Sequence, residues 1–418
     1  MFIGIFINDN WDIPHPLPTA CRRVGLTSPK NLEDERDPKY SGKDASKSTV
    51  SRVKGLFIYP VKSCMPVELE EGEIVPTGMK YDRQFSFAQL VTSRPEKQAD
   101  GSEKTEHQWR FITQREVPRL ALVKAELYVP DPTNVAYHPN REDVKNAGCI
   151  IVSFPFRSEV SFSFKGLKAL NEILKAKYLA RDWSVEPRIA FNIPFLPTTE
   201  RMKRKNYPPK ENMAIWKENP EAINMSSEIP SDAIEKLKYF LGVSNPLTLF
   251  RVDASNYREV FRCAPKEDEV GYQPVVGFAD AYPLHILNIA SVQDVAERLP
   301  AEQAKDFAAI RFRANIYLTG PQAFAEDHWK RIRIGKSEYH VSCRTARCKL
   351  PNVDPKSGVP DRNEPYATMA KYRRIDEGAG IYPCLGMQVT PMDGETNLIK
   401  VGDEIEVLET GEHFYIKQ

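Results

Sequence analysis

Cys348 lies in the segment Cys343-Arg-Thr-Ala-Arg-Cys-Lys-Leu-Pro-Asn-Val-Asp-Pro-Lys-Ser-Gly358, directly after an arginine and ahead of a proline-rich turn. A thiol so placed reads as a soft-metal ligand or a nucleophile, since the nearby Arg344 and Arg347 favour the thiolate. His340, Cys343 and Cys348 offer three zinc-type ligands, but their intervals are unusual for zinc and no fourth ligand follows closely in the chain. Cys343 falls in a strand-like run and reads as a small buried residue, as does Cys64. Cys149, Cys263 and Cys384 join no constellation.

Basic and polar side chains recur at predicted strand ends: Lys62 and Ser63 after Tyr59-Pro-Val, Arg83 in Tyr81-Asp-Arg, Arg313 and Asn315 in Phe312-Arg-Ala-Asn. Singly, each is the kind of residue that pairs with a surface carboxylate. If the strands converge, they form an anion pocket whose guanidinium forks suit phosphate. Gly-x-Gly-x-x-Gly after a strand, a Walker phosphate loop and Cys-x-x-Cys are all absent, so a nucleotide site, a zinc ribbon and a thioredoxin motif lack support.

The elements that must position these residues are mostly strands. Alternation and turn signals predict strands over Val53–Tyr59, Arg83–Leu90, Leu120–Val129, Cys149–Phe154 and Val160–Phe164, forming an antiparallel sheet or small barrel. Thr92–Gln108 reads as a polar loop. Helical spacing predicts helices over Leu167–Trp183 and Asp232–Leu241. The proline-bearing Leu196–Pro220, with its basic run Arg201–Lys205, reads as a linker. A strand is predicted over Leu247–Val252. Ser291-Val-Gln-Asp294 reads as a capping box opening a helix that ends near Pro300. Ile310–Leu318, Trp329–Ile334, Glu338–Ser342 and Glu404–Leu408 read as strands.

The chain of 418 residues carries 58 basic and 57 acidic side chains, a balance that argues against a nucleic-acid scaffold. Its seven cysteines are odd in number and scattered, which points away from a secreted disulfide framework and towards a reducing compartment. No apolar run reaches the length of a membrane helix and no secretory segment is visible. The expected class is α+β: a leader without fixed structure over 1–51, a strand-rich barrel-like domain over 52–165, a helical and linker region over 166–250, a second barrel domain over 251–410 and a tail over 411–418.

Leu56-Phe-Ile-Tyr-Pro-Val-Lys-Ser-Cys64, Tyr81-Asp-Arg83, Gln114-Arg-Glu-Val-Pro-Arg-Leu120, Phe312-Arg-Ala-Asn315, Ala325-Glu-Asp-His-Trp329 and Arg347–Gly358 together resemble the MOSC-domain proteins, in an order and spacing similar to the amidoxime-reducing branch. The resemblance implies an N-terminal MOSC β-barrel, a C-terminal MOSC β-barrel and a molybdenum cofactor, a molybdopterin whose metal takes one protein cysteine. Cys348 matches that ligand and catalytic position. Lys62, Ser63, Arg83, Arg313 and Asn315 match positions that hold phosphate and pterin, and Asp280-Ala-Tyr282 matches a pterin-contacting Asp-Thr-Ser stretch.

Two departures stand out. Thr-Ser is replaced by Ala281 and Tyr282, and a serine two residues before the ligand is Ala346, so hydroxyl contacts are lost where backbone N–H groups can still donate.

The implied activity is reduction of small N-hydroxylated substrates such as amidoximes and hydroxylamines. Electrons would come from partner proteins of the b-type cytochrome and flavin-reductase kind, since the chain shows no flavin, haem or iron–sulfur motif. The alternative is a non-enzymatic carrier of the cofactor or of sulfur, related to the C-terminal part of molybdenum cofactor sulfurase. The sulfurase's pyridoxal-phosphate domain has no counterpart here, so that binding attaches to the family label alone. A cytoplasmic or mitochondrial location is implied.

Overall fold

Lys124–Pro130 shows how the sequence dictates a half-buried strand: Ala125, Leu127 and Val129 turn inward, while the residues between them stay partly exposed. Its neighbour Cys149–Pro155 is buried along almost its whole length and reads as a continuous apolar run. The computed structural model describes residues 17–43, 50–93, 95–97, 103–157, 164–180 and 186–417. Strands dominate and form two barrels, an α+β architecture.

The first barrel closes through strands Glu211–Ala214, Glu221–Asn224, Leu247–Val252, Phe85–Thr92 and His107–Phe111. Phe111, Met213, Ile215, Phe250 and Phe278 fill it. Beside it lies a four-stranded sheet of Cys21–Arg23, Lys124–Pro130, Cys149–Pro155 and Arg188–Pro194. Helix Ser231–Leu241 packs Ala233, Leu237 and Leu241 on the same core and ends on Gly242, whose φ of 73° only glycine adopts cheaply.

In the second barrel the order runs Ile316–Thr319, Leu284–Asn288, Cys384–Pro391, Ser337–Ala346, Trp329–Ile334, Glu404–Thr410 and Ser51–Ile58, and the last pairs back with the first. The strand that opens the N-terminal half therefore completes the C-terminal barrel, with Leu56 opposite Ile316. The chain then runs directly into the first barrel, where Val61 bridges to Phe85. Lys62 and Ser63 thus sit on the crossing between the two barrels.

Several elements differ from expectation. Residues 17–43, read as part of an unstructured leader, instead dock: Cys21–Arg23 pairs with Tyr128–Pro130, and Glu68 accepts the Lys30 and Asn31 amides at 3.0 and 2.7 Å. The stretch read as a linker supplies first-barrel strands because its apolar Met213 and Ile215 find the barrel interior, and the end of the polar loop joins the strand His107–Phe111, drawn in by Trp109 and Phe111 just beyond it. In the helix Ile289–Arg298 the cap is Asn288, which accepts from Ala290 N–H at 3.1 Å, and Ser291 instead donates to the buried Glu326 at 2.7 Å. The expected strand Ile310–Leu318 begins only at Ile316, since a 3-10 turn ends in Arg313 with φ 55°. The helix read over Leu167–Trp183 spans Phe164–Ala180. Residues 158–163, which carry most of the strand read over Val160–Phe164, lie outside the described residues, as do 1–16 and 44–49.

Candidate functional site

A cavity of about 380 Å³ opens where the two barrels meet. Its lining brings together all ten residues singled out in the sequence: Lys62, Ser63, Arg83, Asp280, Ala281, Tyr282, Arg313, Asn315, Ala346 and Cys348. They come from chain segments almost 290 residues apart, so only the packing of one barrel on the other assembles them.

The backbone bears the imprint of that assembly. Ser63, Arg83 and Arg313 all hold left-handed φ angles, 64°, 46° and 55°. Such a conformation costs a non-glycine residue on the order of 1 kcal/mol or more, and residues of this kind gather where a site must be shaped.

Tyr59, wholly buried, forms the floor beneath two guanidinium groups, with Arg83 at 4.4 Å and Arg313 at 4.1 Å from its ring centroid. Arg83 donates to Asp82 at 2.6 Å, to Asn315 Oδ1 at 3.1 Å and to the Arg313 carbonyl at 3.1 Å. Asn315 is pinned in turn, its Nδ2 donating to the Phe57 carbonyl at 3.1 Å and its Oδ1 accepting from His285 N–H at 3.2 Å. Arg313 donates to the Cys64 carbonyl at 2.8 Å, but its Nη2 is buried and meets no partner among the described residues.

Lys62 donates to the Phe278 carbonyl at 2.9 Å and to the Asp280 carboxylate. Burial pulls its ammonium down to about 8, against the opposing pull of Asp280. Asp280 is largely exposed at the cavity, and the charges of Lys62, Arg115 and Arg83 hold its carboxyl well below the usual range. Gln114 fixes the crossing by donating to the Ser63 carbonyl at 2.7 Å.

Cys348 follows the strand Ser337–Ala346 and is half-buried on the cavity wall, its Sγ accepting from Leu350 N–H at 3.4 Å. Of the two arginines expected beside it, only Arg347 is there. Arg344 turns into the barrel end, donating to the His413 carbonyl at 3.0 Å and pairing with Asp376 at 3.4 Å. Arg347 is locked by the Leu385 carbonyl at 2.9 Å and by His285 Nε2 at 2.8 Å. Burial and the charges of Arg347 and Arg83 keep that histidine neutral, so Nε2 serves as acceptor. Burial also pulls the Arg347 guanidinium down to about 10, still charged near neutrality.

The zinc reading fails geometrically. His340 turns to Ser342 at 3.1 Å, and Cys343 is buried within an apolar cluster behind the cavity. Among the described residues, no group of three or more His, Cys, Asp or Glu side chains is placed to hold a metal.

Sequence reasoning missed His285, Thr113, Arg115, Thr345 and Trp216 on the lining. Trp216 carried one readable signal, an aromatic residue beside a hairpin turn. It takes φ 55°, stays 45% exposed, packs edge-on to Phe111 at 5.0 Å and lies under Arg115 at 4.3 Å. Thr345 Oγ1 is a second buried polar atom on the lining with no partner among the described residues, one position before Ala346.

The donor set fits a phosphate-bearing ligand with a soft metal: two guanidinium groups, an ammonium and one thiol line the same cavity. Residues 50–171 match the MOSC N-terminal beta barrel domain and residues 273–406 match the MOSC domain, and the chain belongs to this MOSC-domain family.

Among its relatives, mitochondrial amidoxime-reducing component 1 of Danio rerio is 36% identical over 141 residues, covering 34% of this chain and 40% of that protein. The Mus musculus relative of the same name is matched over 38% of its length, so in both cases the match spans about two fifths of the relative. The Xenopus laevis protein of that name is 25% identical over 94% of this chain and 92% of its own. Molybdenum cofactor sulfurase of Oryza sativa subsp. japonica is 23% identical over 85% of this chain but 35% of its own length. Among the described residues no helix is long and apolar enough to cross a membrane.

Proposed function

We propose that the cavity holds a molybdenum cofactor, with Cys348 as the protein's ligand to the metal, and that the chain reduces small N-hydroxylated substrates with electrons from a partner protein. The observation that carries this reading is the pair Arg83 and Arg313, two partly buried cations over one tyrosine, with Arg313 Nη2 unpaired among the described residues. Asp82 offsets the Arg83 charge, the Arg313 charge beside it calls for a further anion, and a guanidinium fork is shaped for phosphate.

Bound there, the cofactor would supply a metal centre able to take an oxygen atom and return to its starting state by electron uptake. The chain's own residues do the positioning. Arg83, Arg313 and Lys62 neutralise the phosphate, and Asn315 holds the Arg83 fork in orientation. His285 keeps Arg347 beside Cys348 by accepting its N–H, which leaves the arginine's charge next to the thiol. Trp216 and Arg115 offer a flat, cationic lip at which a planar substrate can rest.

The test is elemental analysis of protein made in cofactor-replete cells, followed by turnover of an amidoxime or hydroxylamine with a reduced dye. Molybdenum near one per chain and many turnovers support the reductase. The likeness to the rice sulfurase favours a second reading, a cofactor or sulfur carrier. Stoichiometric molybdenum with no turnover would favour that carrier, and absence of molybdenum would sink both.

A further inference from the structure

Behind the cavity wall formed by Ala279, Ala281, Tyr282 and Tyr415 lie two thiols that the site does not use. Cys343, fully buried, is on the strand Ser337–Ala346, and Cys263 packs against it from a turn entered through Arg262, whose φ is 69°. Cys343 and Tyr282 belong to one packed cluster, against which Cys263 and Tyr415 lie.

Cys263 is also the anchor of the C-terminal segment. Its sulfur accepts from Ile416 N–H at 3.3 Å and faces the Phe414 carbonyl at 3.6 Å. The same segment is held by Asp376, which accepts from Tyr415 N–H at 2.8 Å, and by Arg344, which donates to the His413 carbonyl at 3.0 Å. It lies so flat on Gly378 that a Cβ there would sit 1.8 Å from the Tyr415 oxygen. Tyr415 and Lys417 belong to the cavity lining.

The geometry points to Cys263 and Cys343 as a peroxide-oxidisable dithiol, Cys263 the attacking sulfur and Cys343 the resolving one, whose disulfide loosens the segment lining the cavity mouth. Cys263 is the half-exposed member and Cys343 the fully buried one, so access assigns the first step. Charge agrees with access. The hydrogen bond from Cys343, aided by the Ile416 amide, lowers the Cys263 thiol despite burial, whereas burial raises Cys343. Cys263 is therefore the more readily ionised of the two thiols.

Cys263 thiolate attacks one oxygen of hydrogen peroxide, the O–O bond breaks, and Cys263 sulfenic acid and hydroxide form. Cys343 then attacks the sulfenyl sulfur, and the S–O bond breaks as the Cys343 proton leaves with the hydroxyl as water. Two sulfurs are oxidised by one electron each, and peroxide is reduced by two. The disulfide has no S–H to donate to the Phe414 carbonyl and is a poorer acceptor for Ile416 N–H, so the tail loses its anchor.

The test uses the full chain, treated with dilute hydrogen peroxide, alkylated and digested without reduction for peptide mass spectrometry. The expected product is a cross-linked peptide pair carrying Cys263 and Cys343, two hydrogens lighter than its parts and reversed by dithiothreitol. Hydrogen exchange at Ile416 should rise by about tenfold with it, the loss of one hydrogen bond. Cys343→Ser should trap Cys263 as a dimedone-reactive sulfenic acid. Because a buried serine can disturb folding, Cys263→Ser at the half-exposed position serves as the second variant and should give no cross-link. Oxidation that bypasses Cys263, pairs it elsewhere, or carries it to sulfinic acid without a cross-link would overturn the proposal.

Discussion

Arg83 donates through Nη2 to the main-chain oxygen of Arg313 at 3.1 Å, and the two guanidinium groups lie over the ring of Tyr59 at 4.4 and 4.1 Å from its centroid. The ring quadrupole favours each cation, but among the described residues only Asp82 bonds either one as a carboxylate, and it bonds Arg83. Arg313 is therefore the charge left for a bound anion to offset. Arg313→Ala should lower the molybdenum retained by cofactor-replete protein at least about tenfold, the loss of roughly one charge-assisted hydrogen bond. The melting temperature of cofactor-free protein should stay the same or rise, because a like charge is removed. Elemental analysis beside calorimetry checks both, and a fall in molybdenum that merely tracks lost folded protein would remove the assignment.

Lys62 gives the site a pH dependence whose sign can be worked out. Its ammonium titrates near 8 in the folded chain and at 10.5 in the reference state. Between those values the unfolded chain holds more protons, so this residue's contribution to stability rises with pH. Ligand retention runs the other way, since an anion needs the ammonium charged. The groups that set the balance are burial, Asp280, Arg258 and Arg83, with the Phe111 ring beneath at 5.6 Å. Molybdenum retained after dialysis should fall from about pH 7 to about pH 9 in the parent and stay nearly flat in Lys62→Arg. Parallel profiles in the two proteins would rule Lys62 out as the titrating group.

What could be read in the chain, and what could not, divides along a physical line. Lys62, Arg83, Arg313 and Cys348 were legible because short motifs place charged or soft groups at strand ends, and the strand signals around them are local. His285 was not legible: it sits in a buried strand and acquires its role only when Arg347 arrives from 62 residues away. The closure of the second barrel by Ser51–Ile58 is likewise a long-range pairing with no local signature. Ile310–Leu318 looked like one apolar strand, but the stacking of the Arg83 and Arg313 guanidinium groups over Tyr59 goes with Arg313 in a left-handed turn. Cys263 seemed isolated because its partner lies 80 residues on, in the other face of the barrel wall.

Gly386 holds the neutral histidine in place. Its φ is +76°, and a Cβ would lie 2.5 Å from His285 Nε2 and 2.7 Å from the Ile286 carbonyl. Gly386→Ala should destabilise the fold by more than about 2 kcal/mol, combining backbone strain with overpacking. By displacing His285 it should also free Arg347 from its 2.8 Å bond beside Cys348. Urea unfolding measures the first effect. Full stability together with normal molybdenum content would show that Gly386 does not hold His285 in place.

Thr345 separates stability from function. Its buried hydroxyl has no partner among the described residues, lines the cavity and lies next to Ala346, where the family resemblance leads one to expect a serine. An unsatisfied buried hydroxyl costs about 1–3 kcal/mol. Thr345→Val removes the oxygen while keeping the shape, so the cofactor-free protein should gain on the order of 1 kcal/mol, seen as a higher urea midpoint at unchanged m-value. If the hydroxyl bonds the cofactor, the same variant should hold molybdenum less tightly, releasing it about tenfold faster on dilution. Opposite signs in the two measurements are what a ligand-directed hydroxyl requires. Stabilisation with unchanged molybdenum release would mean that Thr345 only packs, leaving backbone N–H groups to compensate for Ala346.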